Sequence, residues 1–278
     1  METEIVSLAY LEEIDKIIDR QGKGKRVKET QALRQKSKKI ILHKEPCMKL
    51  GQVAVARYFY GKPLPIMENF ENIELFSSAK GFGSSLSPFS LKNADGCIVE
   101  NVWQFSKLYP KVTAQNSKSW KHPTENHADV SGNPTKAYWM WREKGMKNFA
   151  AVRYPNGKDG RASCICSIMI KNGGFEKLSY IEARKRIYCT EIAQAAQEME
   201  SFQRIQSLIN QGVNVQLIEY DGPDPSWNFA PYNEVTKEHP GLIISKEKIQ
   251  LLLNDSRKPF GHGYVIAALL LGGREWLF

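Results

Sequence analysis

Between Ser179 and Pro225 the sequence spells out a helical run, a stop and a strand, and that succession limits the possible folds more than any other stretch. Ser179-Tyr-Ile-Glu182 is a capping box, in which the serine hydroxyl accepts from an amide one turn on and the glutamate reaches back to the serine amide. It opens a helix through Ile187 toward Ala196. Phe202, Ile205, Leu208 and Ile209 continue helical spacing as far as Gly212, a good C-cap residue. Val213 to Tyr220 then alternates Val213, Val215 and Leu217 like a strand with one buried face, ended by the turn-rich Asp221-Gly-Pro-Asp-Pro225. Ser245 caps a short helix to Leu253, and Tyr264 to Leu271 reads as an apolar final helix. Helices gathered around strand predict a single α+β domain, mostly helical.

The N-terminal part reads differently. Ile5, Leu8, Leu11, Ile14, Ile17 and Ile18 suit one face of a helix, and Glu29 to Lys39 suit a second, very basic one. Of the net charge of +9, almost all sits between Gln21 and Lys44. There Lys23, Lys25, Arg26, Lys28, Arg34, Lys36, Lys38, Lys39 and Lys44 face one acid, Glu29, a local balance of +8. Such a run is a solvated helix face, a contact for nucleic acid such as DNA, or a contact for an acidic protein partner. At Gly61-Lys-Pro63-Leu-Pro65 two prolines hold the chain extended. The expected division is therefore a basic helical N-terminal extension over 1–60 and a separate domain over 61–278.

Several classes are set aside by what the chain lacks. No run of about 18 apolar residues is present to span a bilayer. The acidic Met1-Glu-Thr-Glu start has neither the basic nor the apolar region of a secretory signal, so a cytoplasmic location is expected. The five cysteines form neither a disulfide framework nor a CxxC pair. There is no GxxxxGK[ST], HExxH or GxSxG motif, and no metal or other cofactor is implied.

Two carboxylate clusters remain as candidates for chemistry. Glu100 stands on the first turn of a helix expected to start after Cys97-Ile98-Val99, near Trp103 and Phe105. An apolar wall raises a carboxyl pKa and makes it a usable acid or base near neutral pH, although a glutamate at this position also complements the helix dipole. Glu219-Tyr-Asp221-Gly-Pro-Asp224-Pro-Ser-Trp227 puts carboxylates and an aromatic ring on the rim after a strand. Breaking a C–N glycosidic bond requires an anion beside the developing oxocarbenium ion, a group that activates water or protonates the leaving base, and aromatic surface for that base.

The order Leu86-Ser-Pro-Phe, Asp95-Gly96, Glu100-x-x-Trp103-Gln104-x-x-Lys107, then Leu217-Ile-Glu219 and Asp224-x-x-Trp227, resembles the NADAR family over roughly residues 75–273. The family pattern has Asn, Tyr and Gly where this chain has Pro88, Trp103 and Asn228. The resemblance implies an N-glycosidase of riboflavin-pathway intermediates or ADP-ribose conjugates. It makes Glu100 and Asp224 catalytic and puts Trp103, Gln104, Lys107 and Trp227 against the substrate. A second likeness, to bacterial and viral proteins through blocks such as Val152-Arg-Tyr-Pro155, Glu182-Ala-Arg-Lys185 and Pro259-Phe-Gly-His-Gly-Tyr264, supplies no function. It adds Arg153, Arg184 and His262 as expected phosphate partners, with solvated charges and a packed histidine as the plainer alternatives. The expected substrate is nucleotide-like, either a small molecule or a modified nucleic acid.

Overall fold

The computed structural model describes residues 50–111, 126–153 and 163–278. The basic residues Lys23 to Lys39, expected to touch nucleic acid, lie outside this set, as does the expected helical extension as far as residue 49.

Two sheets organise the described chain. The larger has four strands in the order β2-β6-β1-β7, with β1 at Val53–Arg57, β2 at Glu71–Glu74, β6 at Val215–Glu219 and β7 at Gly241–Ile243. β6 runs parallel to both β1 and β2, and β7 runs antiparallel to β1. This corrects the expected boundary, because β1 falls inside the stretch read as an N-terminal extension and yet is central to the sheet. The compact unit begins at Leu50, not after residue 60, and the Pro63/Pro65 stretch is a connection within it.

The alternation read in β6 is real, but both of its faces are covered. Val215 and Leu217 join the main core, while Ile218 packs with Ala56 and Phe76 on the opposite side. Gln216 on that side donates to Pro65 O and to Asn72 Oδ1. All five residues are consequently buried, as parallel strands usually are.

The smaller sheet has the order β3-β4-β5, with β3 at Lys107–Leu108, β4 at Cys166–Lys171 and β5 at Gly174–Leu178, all antiparallel. Asn172-Gly173 closes the β4–β5 hairpin, and Gly173 has φ +78°, where a side chain is strained. With two sheets at its centre the fold is α+β, and the mostly helical body expected is not what forms.

Eight helical segments matter to the site. α1 spans Val99–Phe105 and α2 Lys136–Met146; α3 spans Tyr180–Ala183, continues as a π segment over Arg184–Cys189, and passes into α4 at Thr190–Gln197. α5 spans Glu200–Asn210, α6 Lys246–Asn254 and α7 His262–Leu270. Both halves of the Ser179–Glu182 capping box form, Ser245 accepts from Lys248 N, and Gly212 ends its helix with φ +83°. Every residue of α7 is buried against β1, β6 and the neighbouring helices. A helix apolar on all sides belongs in a core. Among the described residues no helix is long and apolar enough to cross a membrane.

Candidate active site

Glu100 owes its position to the turn before it. Glu100 N donates to Pro88 O at 3.0 Å and Val99 N to Leu91 O at 3.0 Å. The Leu86–Leu91 turn thus satisfies amides that an uncapped helix start leaves without partners. The side chain points inward and is 5% exposed. Gln104, one turn on, donates Nε2–H to Glu100 Oε1 at 2.7 Å, and its Oε1 accepts from Lys107 Nζ at 2.8 Å. Lys107 Nζ also lies 4.4 Å above the Trp103 ring. Burial raises the Glu100 pKa above the ordinary glutamate value; the Gln104 hydrogen bond and the Lys107 and Arg153 charges oppose that rise, and Asp221 adds to it.

Glu100 faces a cavity of about 370 Å³, near the lower end of small-molecule sites. Trp103 and Gln104 complete the α1 wall, and Lys107, Tyr109, Cys164 and Cys166 form the wall at the small sheet. Tyr180, Arg184 and Tyr188 approach from α3 and its π segment. Arg153, Asp221, Lys258 and Phe260 close the remaining side. Asn101, fully buried beside Glu100, sets the Arg153 loop: its Oδ1 accepts from Val152 N at 2.7 Å and its Nδ2 donates to Ala150 O at 3.0 Å. Arg153 reaches Asp221 at 3.2 Å.

Six expected residues therefore meet in one cavity: Glu100, Trp103, Gln104, Lys107, Arg153 and Arg184. Three expected residues do not line it. Asp224 pairs with Arg57 at 3.3 Å and accepts from Ser226 N and Oγ, and it does not line Glu100's cavity. Trp227 is enclosed by Tyr232 edge-on at 4.6 Å, Lys258 at 4.2 Å and Arg57 at 5.5 Å, so its faces are taken. His262 is buried, with Nδ1 2.9 Å from Glu219 and Nε2 3.1 Å from Leu75 O, which leaves no nitrogen for a phosphate.

Arg184 is placed in the cavity wall but employed otherwise than expected. Nη1 donates to Leu252 O, Leu253 O and Asp255 O, and Nη2 to Lys258 O at 2.8 Å. The guanidinium caps the C-terminal carbonyls of α6 and fixes the loop that carries Lys258 and Phe260, leaving it little capacity for an anion.

Asp221, Lys258, Tyr180 and Tyr188 line the cavity without having been singled out. Asp221 lies in the carboxylate cluster the sequence displays, three residues before Asp224. Tyr188 follows Tyr180 by eight residues, with Arg184 midway between them on the same stripe. Among the described residues no group of three His, Cys, Asp or Glu side chains is placed to hold a metal ion. His127 is buried against Trp141, and burial lowers its pKa to about 4.

Comparison with protein families, with curated proteins and with solved structures finds no match in any of the three.

Proposed function

We propose that the protein hydrolyses an N-glycosidic bond in a nucleotide-like substrate. One observation carries this reading: a desolvated carboxylate, Glu100, at the wall of an aromatic cavity edged by Lys107, Arg153 and Lys258. The NADAR resemblance of the Glu100 to Lys107 segment points the same way. The rings of Trp103 and Tyr180, 6.2 Å apart, offer a surface for a base. Cations at the edge suit a phosphate, and the volume suits a single nucleoside unit better than a dinucleotide.

In the proposed reaction the C1′–N bond breaks and its electron pair leaves with the base. Glu100 stabilises the positive charge that develops on the sugar and takes a proton from the attacking water. That proton passes to the departing base, so one water is consumed and the carboxylate is restored. Gln104 orients Glu100 and couples it to the Lys107 charge. Asp221 takes the place expected for Asp224 as the second carboxylate.

The test is base release, followed by mass spectrometry, from a ribosylaminopyrimidine 5′-phosphate, a base-linked ADP-ribose conjugate and a DNA oligonucleotide carrying a modified base. Wild-type protein releases free base from at least one, and Glu100→Gln from none while unfolding at the wild-type temperature. Wild-type-like turnover by Glu100→Gln refutes the assignment.

The +8 balance of Gln21–Lys44 favours a second reading, a nucleic-acid-binding protein that uses Lys23 to Lys39, alone or to bring a polymeric substrate to the cavity. Engagement of all eight net charges gives a slope of about −6 to −7 for log K against log salt, whereas a small-molecule hydrolase depends far less on salt.

A further inference from the structure

The π segment has a geometric effect on the cavity. Each four-residue step along an α-helix overshoots a full turn by about 40°, so two such steps carry a side chain well around the helix. The wider π winding takes more residues per turn, and from Arg184 to Cys189 it halts that drift. Tyr180, Arg184 and Tyr188 consequently remain on one stripe and line the same cavity. Arg184 has a structural task in capping α6, and Tyr180 packs on it, with the guanidinium carbon 4.7 Å from the ring.

Tyr188 has no such task for its hydroxyl. Its ring is held against Trp103 at 5.2 Å, and the residue is 8% exposed, on the cavity side. The hydroxyl takes part in no side-chain hydrogen bond among the described residues. Burial, and then the charges of Glu219, Glu100 and Asp221, hold the phenol protonated well above the ordinary tyrosine range. A fixed O–H donor that stays protonated beside the carboxylate expected to act on C1′ is suited to one job, hydrogen bonding to an atom that becomes more negative during the reaction.

We propose that Tyr188 is a further catalytic residue, donating a hydrogen bond to the leaving base as the C–N bond breaks. The inference rests on the glycosidase reading. The phenol keeps its proton throughout; the base takes its proton from the hydrolytic water by way of Glu100, so the balance of the reaction is unchanged. Such a donor matters for a base that departs as an anion and contributes nothing to one that departs neutral.

The experiment compares wild type, Tyr188→Phe and Glu100→Gln on two probes, a ribosylaminopyrimidine 5′-phosphate, whose base leaves as an anion, and nicotinamide mononucleotide, whose base leaves neutral. Tyr188→Phe keeps the ring and its packing on Trp103. The expected result is a fall in kcat of about 100-fold on the aminopyrimidine riboside, with KM within about twofold of wild type and the unfolding temperature unchanged. On any nicotinamide mononucleotide turnover the variant matches wild type. A kcat within about threefold of wild type on the aminopyrimidine riboside overturns the role of Tyr188, as does an equal loss on both probes, which signals a structural effect. Loss of turnover in Glu100→Gln alone leaves the glycosidase reading standing while Tyr188 falls. Wild-type protein that releases base from neither probe removes both.

Discussion

Glu219 and His262 face each other at 2.9 Å in the interior, at the end of β6 and the start of α7. Glu219 also accepts from Gly263 N at 3.1 Å, and the second imidazole nitrogen meets Leu75 O, which can only accept. The pair, an ion pair whenever the imidazole is protonated, ties β2, β6 and α7 together. Gly261 and Gly263 allow the approach: a Cβ at Gly261 would lie 2.2 Å from the Glu219 carboxylate.

This pair predicts a pH-dependent stability. Burial alone would lower the His262 pKa, but the adjoining Glu219 carboxylate and the Leu75 carbonyl together raise it above the ordinary value. A histidine with a raised folded pKa contributes stability fully below about pH 6.5 and loses it as pH rises through the folded value. The wild-type unfolding temperature should fall between about pH 6 and pH 9 by more than that of His262→Gln, which lacks the titrating group. Glu219→Gln should cost about 3–5 kcal/mol in urea denaturation, as the loss of one partner of a buried pair does.

The Glu100–Gln104 hydrogen bond predicts a shift in the pH–rate profile. Activity that requires the Glu100 carboxylate declines as pH falls through its pKa, which burial has already raised. Gln104→Leu removes a donor that favours the charged form, so the acidic limb of kcat/KM should move to higher pH. An acidic limb that stays in place or moves lower would count against Glu100 as the titrating group.

Asp221 and Asp224 predict opposite outcomes from the same substitution. Asp221→Asn alters the cavity wall and releases Arg153, and base release should fall at least tenfold. Asp224→Asn breaks a partly exposed ion pair with Arg57, and should cost about 0.2–1 kcal/mol of stability with kcat/KM near wild type. Steady-state kinetics on the two variants together decide which acid belongs to the site.

Arg184 predicts a failure of conservative replacement. Lysine keeps the charge but offers one nitrogen where the guanidinium serves four carbonyls with two. Arg184→Lys should unfold at lower denaturant than wild type and be cleaved faster by protease within 254–260, and Arg184→Met should cost about 1–3 kcal/mol for each carbonyl left without a donor. Unchanged proteolysis of that loop in both variants would contradict the anchoring role.

The helices of the C-terminal half were legible because their ends are written in local chemistry: Ser179 with Glu182, Ser245, and Gly212 act within a few residues of themselves. β1 was not, since Val-Ala-Val-Ala-Arg has no alternation of polarity and a strand buried on both faces looks like any apolar run. The β4–β5 hairpin carries a local signal too, Asn172-Gly173 between two short strands. In the site, Glu100 was legible from an acid at a helix start beside aromatic residues. The choice of Asp221 over Asp224 was not, because it depends on Arg57, a residue distant in sequence that claims Asp224.

The parallel pairing of β1 with β6 also bears on how the chain is made. Val53 lies beside Val215, so about 160 residues leave the ribosome between the two partners, roughly 8–32 s at ordinary rates of synthesis. For that interval an apolar strand meant for the middle of a sheet has no native neighbour on its β6 side. The nascent chain is therefore a natural client for a chaperone that binds short apolar segments, and slower elongation before residue 215 should lower the yield of folded protein.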